Sequence, residues 1–388
     1  MSENRWLILS GSYGDGHEQA ARAIVQSAGE LHPDVKIDLV DYTEWTHPYL
    51  HRISRSLYLH GMKKFPSVYG YIYNATKNEN TLSKLLKKGN RLGSSRLVRL
   101  LREAKPALVV STFPLAAGAM SILKQYGLTD ARTATVITDH SHHNHWIYPH
   151  TDLYLVGSEY VKTSLAGKGI GPKHIEASGI PIRRDFRESY DKPLIRQKHG
   201  LDPELPTLLW MGGGYGLFGD AVALVRGLER LSCRLQLVIV CGRNRAVEMR
   251  LGEAARRSKH SIHVKGYVDY VAELMAAADL LVTKPGGLST SEALAMGLPM
   301  VLYNALPGQE EDNARFLVHS GVAAEANLGH SLTDMIDRLI RDPERLRVMQ
   351  EKAMELERKH AAPDAVRRLW QLQHEASYRS VEQLQPSW

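Results

Sequence analysis

Short apolar runs bounded by glycine-rich or polar turns recur along this chain, and between them lie stretches with the helical spacing of alanine and leucine. Arg5 to Ser10 reads as a buried strand, Gly11 to His17 as a turn, Glu18 to Leu31 as an alanine-rich helix and Val35 to Asp41 as a second strand. That order is a βαβ unit, which presents its ligand side at the carboxyl ends of the strands. Ala107 to Ser111, Ala134 to Thr138, Leu153 to Val156 and His174 to Ser178 extend the parallel set, with a helix starting at Glu159. A polar, proline-containing segment from Arg184 to Pro206 reads as a linker. The alternation then restarts with strands at Thr207 to Met211, Leu235 to Cys241, Ile262 to Val264, Leu280 to Thr283 and Met300 to Tyr303. After His330 the pattern is helical and charged. The expectation is an α/β protein with domains over 1–185 and 186–360 and a helical tail over 361–388.

The second series is organised around residues 284–313. A β-branched run ends in Pro285-Gly286-Gly287, a helix follows from about Ser289 to Met296, and a further strand leads into the polar loop Gln309-Glu310-Glu311-Asp312-Asn313. Glycines without Cβ let backbone N–H groups approach a ligand closely, and a helix N-terminus favours negative charge. A phosphate or pyrophosphate suits both. Glu292, placed in the first helical turn, could accept hydrogen bonds from a ribose diol. Ser289-Thr290-Ser291-Glu292 also fits a capping box, in which Glu292 only ties down the helix start. Gln309 and Asn313, at i, i+4 spacing, could read sugar hydroxyls together or form a solvated helix start.

Gly212-Gly213-Gly214-Tyr215-Gly216 is a second glycine turn before a helix, again a phosphate cradle by mechanism or simply a tight turn. Glycines 11, 14 and 16 do not make a full G-x-G-x-x-G. His17 stands at the corner between strand and helix, where a cap or packing role competes with a catalytic one. Thr138-Asp139 follows a strand carboxyl end on the same side. His140, His142, His143 and His145 lie close together, but consecutive loop residues seldom converge on one metal ion, and no metal site is assigned.

Composition narrows the class further. The 388 residues are 43% hydrophobic and 23% charged, ordinary for a globular chain and long for one core. Cys233 and Cys241 offer no disulfide framework and suit a reducing compartment. No apolar run is long enough for a signal peptide or a membrane span. A net charge of +7 and a pI near 9.2 point to an anionic partner. Bases and tyrosines concentrate between Trp45 and Lys105, interleaved with leucines. An interfacial helix on anionic lipid and an ordinary amphipathic helix with leucines on the sheet both fit this pattern. No nucleic-acid motif accompanies it.

Residues Lys284 to Pro299, with Pro307 to Ala314, resemble the donor-binding signature of GT-B glycosyltransferases, nearest to bacterial diacylglycerol glucosyltransferases and monogalactosyldiacylglycerol synthases. His17-Glu18-Gln19-Ala20-Ala21 is similar to their Gly-His-x-x-A-A element, with Asp15 interrupting the usual glycine run. Gly179 to Arg183 resembles a G-x-P-V-R element, and Gly266-Tyr267-Val268-Asp269 resembles their uracil loop. The resemblance implies two Rossmann-like domains facing a cleft, with the C-terminal helix crossing back to the first. It implies an inverting transfer of glucose or galactose from a UDP-sugar to diacylglycerol, with no metal, at the inner face of the cell membrane. Glu292 would hold ribose, Gln309 and Asn313 the sugar, main-chain groups at Tyr267 and Val268 the uracil, and Arg183 the phosphates. Gly212, Gly213, Gly214, Gly286, Gly287 and Ser289 complete the donor set. His17 and Asp139 compete as the base. Another GT-B enzyme (a lipid-linked GlcNAc transferase or a UDP-sugar epimerase) and a non-catalytic UDP-sugar-binding membrane protein are the alternatives.

Overall fold

The computed structural model describes residues 4–12, 15–46, 66–77, 94–214, 216, 221–231, 233–326 and 331–375. The first half carries strands β1 (Arg5–Ser10), β2 (Lys36–Asp41), β3 (Leu108–Ser111), β4 (Arg132–Val136), β5 (Leu153–Leu155) and β6 (Ile175–Glu176). Its helices are α1 (Asp15–Leu31), α2 (Tyr42–Thr46), α3 (Pro66–Thr76), α4 (Ser94–Ala104), α5 (Pro114–Gln125) and α6 (Glu159–Gly167). The second half adds strands β7 (Thr207–Met211), β8 (Gln236–Val240), β9 (Ser261–Lys265), β10 (Leu280–Thr283), β11 (Met300–Leu302) and β12 (Ala323–Glu325). Around them lie α7 (Lys192–Lys198), α8 (Ala221–Leu228), α9 (Arg245–Ala255), α10 (Val271–Ala277), α11 (Gly287–Ala295), α12 (Gln309–His319), α13 (Leu332–Ile340), α14 (Pro343–Leu356) and α15 (Ala361–His374).

Two parallel six-stranded sheets result, ordered β2-β1-β3-β4-β5-β6 and β12-β11-β10-β7-β8-β9. Strands buried on both faces need continuous apolar sequence, which is why β7 (Thr-Leu-Leu-Trp-Met) and β10 (Leu-Leu-Val-Thr) are buried throughout. In each sheet the chain reverses direction of growth beside its first strand, between β1 and β3 and between β7 and β10. Crevices open at such switch points, and the two sheets turn theirs toward each other. The fold is therefore GT-B in architecture, as the resemblance implied. The last described helix returns to the first domain: Ala365, Val366, Leu369 and Leu372 pack into the core of β1, β3 and β4, and Trp6 Nε1 donates to Gln373 Oε1 at 2.5 Å.

Several boundaries differ from the sequence reading. The segment 184–206 is more than a linker. Asp191 caps α7 by accepting from Leu194 N, with Pro193 in the first turn, while Phe186 and Leu201 are buried in the second core. The run from Gln309 to Asn313 is the start of α12 rather than a loop. In α4, Leu97, Leu100 and Leu101 are buried against the first sheet while Arg96, Arg99 and Arg102 face water. That segment is an ordinary amphipathic helix, and its leucines are not available to a membrane. The bases and leucines of 47–65 and 78–93 lie outside the described residues, as do Gly14, Tyr215 and the tail beyond 375. No helix among the described residues is long and apolar enough to cross a membrane.

Candidate active site

The loops at both switch points converge on one cleft of about 560 Å³. The first domain contributes Asp15, Gly16 and His17 after β1, Phe113 and Pro114 after β3, and Thr138 and Asp139 after β4. From the second domain come Gly212 to Gly214 after β7, Lys284 with Gly286 to Ser289 after β10, and Gln309, Glu310 and Asn313 on α12. Residues some 300 positions apart in sequence therefore share one cavity.

His17 and Asp139 face it together. The helix α1 begins at Asp15, so His17 lies in its first turn instead of before it. Its Nδ1 is 2.9 Å from Thr138 Oγ1, and its ring packs edge-on to Phe113 at 5.4 Å. Burial pulls the imidazole down to about 4, with a hydrogen bond to the Thr112 backbone pulling the other way. Asp139 is 5% exposed, and burial pushes its carboxyl up to about 6; the Asn313 amide, 3.4 Å from Oδ1, opposes that push. At neutral pH the pair is an uncharged imidazole beside an ionised, poorly solvated carboxylate.

The donor side is built on glycine. A Cβ on Gly287 would stand 2.1 Å from the Thr138 carbonyl oxygen, so only glycine lets the start of α11 press against the Thr138-Asp139 loop. Gly286 is the N-cap of α11 and makes no side-chain cap. The capping-box reading of Ser289 to Glu292 does not hold: Thr290 and Ser291 hydroxyls bond back to the Gly286 and Gly287 carbonyls. Glu292 lies in the second turn of the helix, not the first. Ser289 lines the cleft. Gln309 and Asn313 occupy one face of α12 and both reach the cavity. Asn313 is fully buried, accepting from His140 N at 2.7 Å and donating to the Pro285 carbonyl at 2.9 Å.

Glu292 and Arg183 form a neighbouring cluster outside the cleft lining. Burial pushes the Glu292 carboxyl up to about 7, the Arg183 charge draws it down and Asp185 adds to the rise. Arg183 Nη1 donates to the Asp269 carbonyl at 3.0 Å, tying the domain junction to the loop that holds Tyr267 and Val268. Tyr267, more than half exposed, lies under the Arg243 guanidinium at 5.0 Å. Arg243 in turn lies 3.4 Å from Asp15 across the cleft.

The sequence reading assigned no site role to three groups that the fold brings in. Lys284, at the end of β10, lines the cleft, and its charge opposes the burial that raises the Glu310 carboxyl. Its place at a strand carboxyl end was the available signal. Tyr73 and Trp146 line the same cavity with no local pattern to mark them. Among the described residues no group of three or more His, Cys, Asp and Glu has the geometry of a metal site. The histidine run instead builds the cleft wall: His143 bonds the Tyr73 carbonyl at 2.8 Å and contacts His145, while His140 stacks on Phe316.

This geometry has clear relatives. The chain is 32% identical over 350 residues to the processive diacylglycerol beta-glucosyltransferase of Staphylococcus epidermidis, covering 90% of this chain and 88% of that protein. The family is settled by that likeness. The chain belongs to the diacylglycerol beta-glucosyltransferase family. The Bacillus licheniformis member is 31% identical over 356 residues, covering 90% of each chain. Residues 17–182 match the monogalactosyldiacylglycerol (MGDG) synthase family, and residues 219–356 match the glycosyl transferases group 1 family. Acinetobacter baumannii MurG shares the fold, with a TM-score of 0.59 at 13% identity over 95% of this chain and 99% of that one. Anabaena HepE, solved with UDP-glucose, does so at 0.55 and 15% identity with the same coverage.

Proposed function

We propose that this family member is a UDP-sugar-dependent hexosyltransferase that moves glucose to the hydroxyl of diacylglycerol, making a membrane glycolipid. The observation that carries the reading is the single cleft in which a desolvated carboxylate, Asp139, faces two glycine turns and the N-terminus of α11. The donor's diphosphate belongs on Gly212 to Gly214 and Gly286 to Gly287, with Glu292 and the 266–269 loop toward its nucleoside and Gln309 and Asn313 toward its sugar. Arg183 supports the nucleoside side by holding Asp269.

The acceptor hydroxyl attacks the anomeric carbon from the face opposite the diphosphate. The new C–O bond forms as the bond to UDP breaks, so configuration inverts, and the hydroxyl proton passes to Asp139. A carboxylate held near 6 is a better proton acceptor at neutral pH than an imidazole held near 4. His17 then orients the Thr138-Asp139 loop through its bond to Thr138. The charge left on UDP meets backbone N–H groups, the helix terminus, Lys284 and Arg243, a set that works without a resident metal. Attachment to the inner face of the membrane is peripheral, through the basic stretch between 45 and 105.

The test is UDP release over anionic vesicles containing diacylglycerol, with UDP-glucose, UDP-galactose and UDP-GlcNAc compared. Turnover with UDP-glucose that needs diacylglycerol and is lost in Asp139→Asn supports the reading. Donor binding without turnover on any acceptor lipid would leave a UDP-sugar sensor.

A further inference from the structure

One helix crosses the cleft. The end of α3 is fixed to the first domain: His143 Nε2 bonds the Tyr73 carbonyl at 2.8 Å, and Lys168 Nζ reaches both the Lys77 carbonyl (3.2 Å) and the His142 carbonyl (2.7 Å). Thr76 Oγ1 and Tyr73 Oη also contact the first domain, at His143 and Ser141 (3.3 Å each), but Tyr73 and Lys77, just past the helix end, reach the second domain as well. Lys77 Nζ lies 2.8 and 2.9 Å from the two carboxylate oxygens of Asp312, and Tyr73 Oη is 3.3 Å from Asp312 Oδ2. The backbone contact is equally close. Gly308, the N-cap of α12, has φ +106°, and a Cβ there would stand 2.8 Å from the Tyr73 ring. Gly70 packs against Pro307 with no room for a side chain.

Asp312 lies between Gln309 and Asn313, which line the cleft together with Glu310. The Asp312 side chain is 9% exposed and that of Lys77 is 23% exposed, so the pair is shielded enough for its charge to matter. We propose that Tyr73 and Lys77 are positioning residues: they strap α12 across the cleft, so that the groups facing the donor's sugar are held in place only while α3 is docked. This rests on the donor reading above. It adds a dependence that the nucleotide end does not share, because among the described residues Glu292, Arg183 and the 266–269 loop make no bond to α3. The sequence on either side of α3, 47–65 and 78–93, is rich in Lys and Arg.

The experiment compares Lys77→Met, Lys77→Arg and Asp312→Asn in the vesicle assay, with binding of UDP and of UDP-glucose measured separately by calorimetry. Lys77→Met and Asp312→Asn are expected to lower kcat/KM for UDP-glucose by about tenfold or more. UDP affinity should stay within about twofold of wild type, and thermal unfolding should be unchanged. Lys77→Arg keeps a cation opposite Asp312 and should retain most of the activity. Wild-type kcat/KM in Lys77→Met overturns the proposal, as does an equal loss of UDP and UDP-glucose affinity, or Lys77→Arg failing as badly as Lys77→Met. If wild type itself shows no turnover, the reaction proposed above is wrong, and the strap is still judged by the difference between UDP-glucose and UDP binding.

Discussion

Burial moves the two candidate bases in opposite directions, Asp139 up and His17 down. Protonated below about 6, Asp139 cannot accept a proton, so kcat/KM should fall as pH drops through that value and stay flat above it. His17, held near 4, stays neutral across the same range and leaves no limb there. A pH profile from 4 to 8 checks this. An acid limb near 6, with Asp139→Asn losing a factor of about 100 to 10,000, assigns the base to the carboxylate. A limb displaced toward 4 would move the role to His17. Both residues were visible in the sequence because each follows a strand and stands at a strand carboxyl end. Glu292 is legible as a candidate as well, but the sequence places it in the first helical turn and the structure in the second. Ser289-Thr290-Ser291-Glu292 fits the capping template, yet Gly286 starts the helix earlier, and the hydroxyls turn back onto its first carbonyls. Lys77 had no such signal: its partner Asp312 is 235 residues away, and no spacing rule reaches that far.

At the scale of elements, periodicity was enough to place the sheets, since strands buried on both faces must be continuously apolar. It was weakest where polar residues begin helices. Asp191 with Pro193 is a helix-start signal that the surrounding charges obscure, and Gln309 to Asn313 reads equally as a polar loop or a helix start because a first turn is as polar as a loop. Helix α15 shows a different limit. It is encoded after the second domain, yet Leu369, fully buried, completes the core around β1 and β3. Leu369→Ala should cost about 2–5 kcal/mol of stability, the usual range for a buried leucine. In urea, followed by tryptophan fluorescence, the loss should appear in the unfolding of the first domain and leave the midpoint of the second nearly in place. A shift confined to the second domain would contradict the packing.

For the whole molecule, the net charge of +7 and the placement of the bases bear on where the enzyme works. Leucines 97, 100 and 101 are committed to the first core, so α4 can offer a membrane only its arginines. Attachment through charge has a signature that insertion of apolar side chains lacks. The screening length falls from about 10 Å at 0.1 M salt to about 3 Å at 1 M, which weakens exposed pairs and leaves buried apolar contact intact or strengthened. Co-sedimentation with anionic vesicles should therefore decline steeply as salt rises, and neutral vesicles should bind little at any salt. UDP affinity, set inside the cleft, should change far less over the same range. Binding that survives high salt would transfer the anchoring to apolar residues of the 45–105 stretch. Loss of UDP and vesicle binding together would mean that salt acts on the cleft itself, where Asp15–Arg243 and Lys77–Asp312 join the two domains.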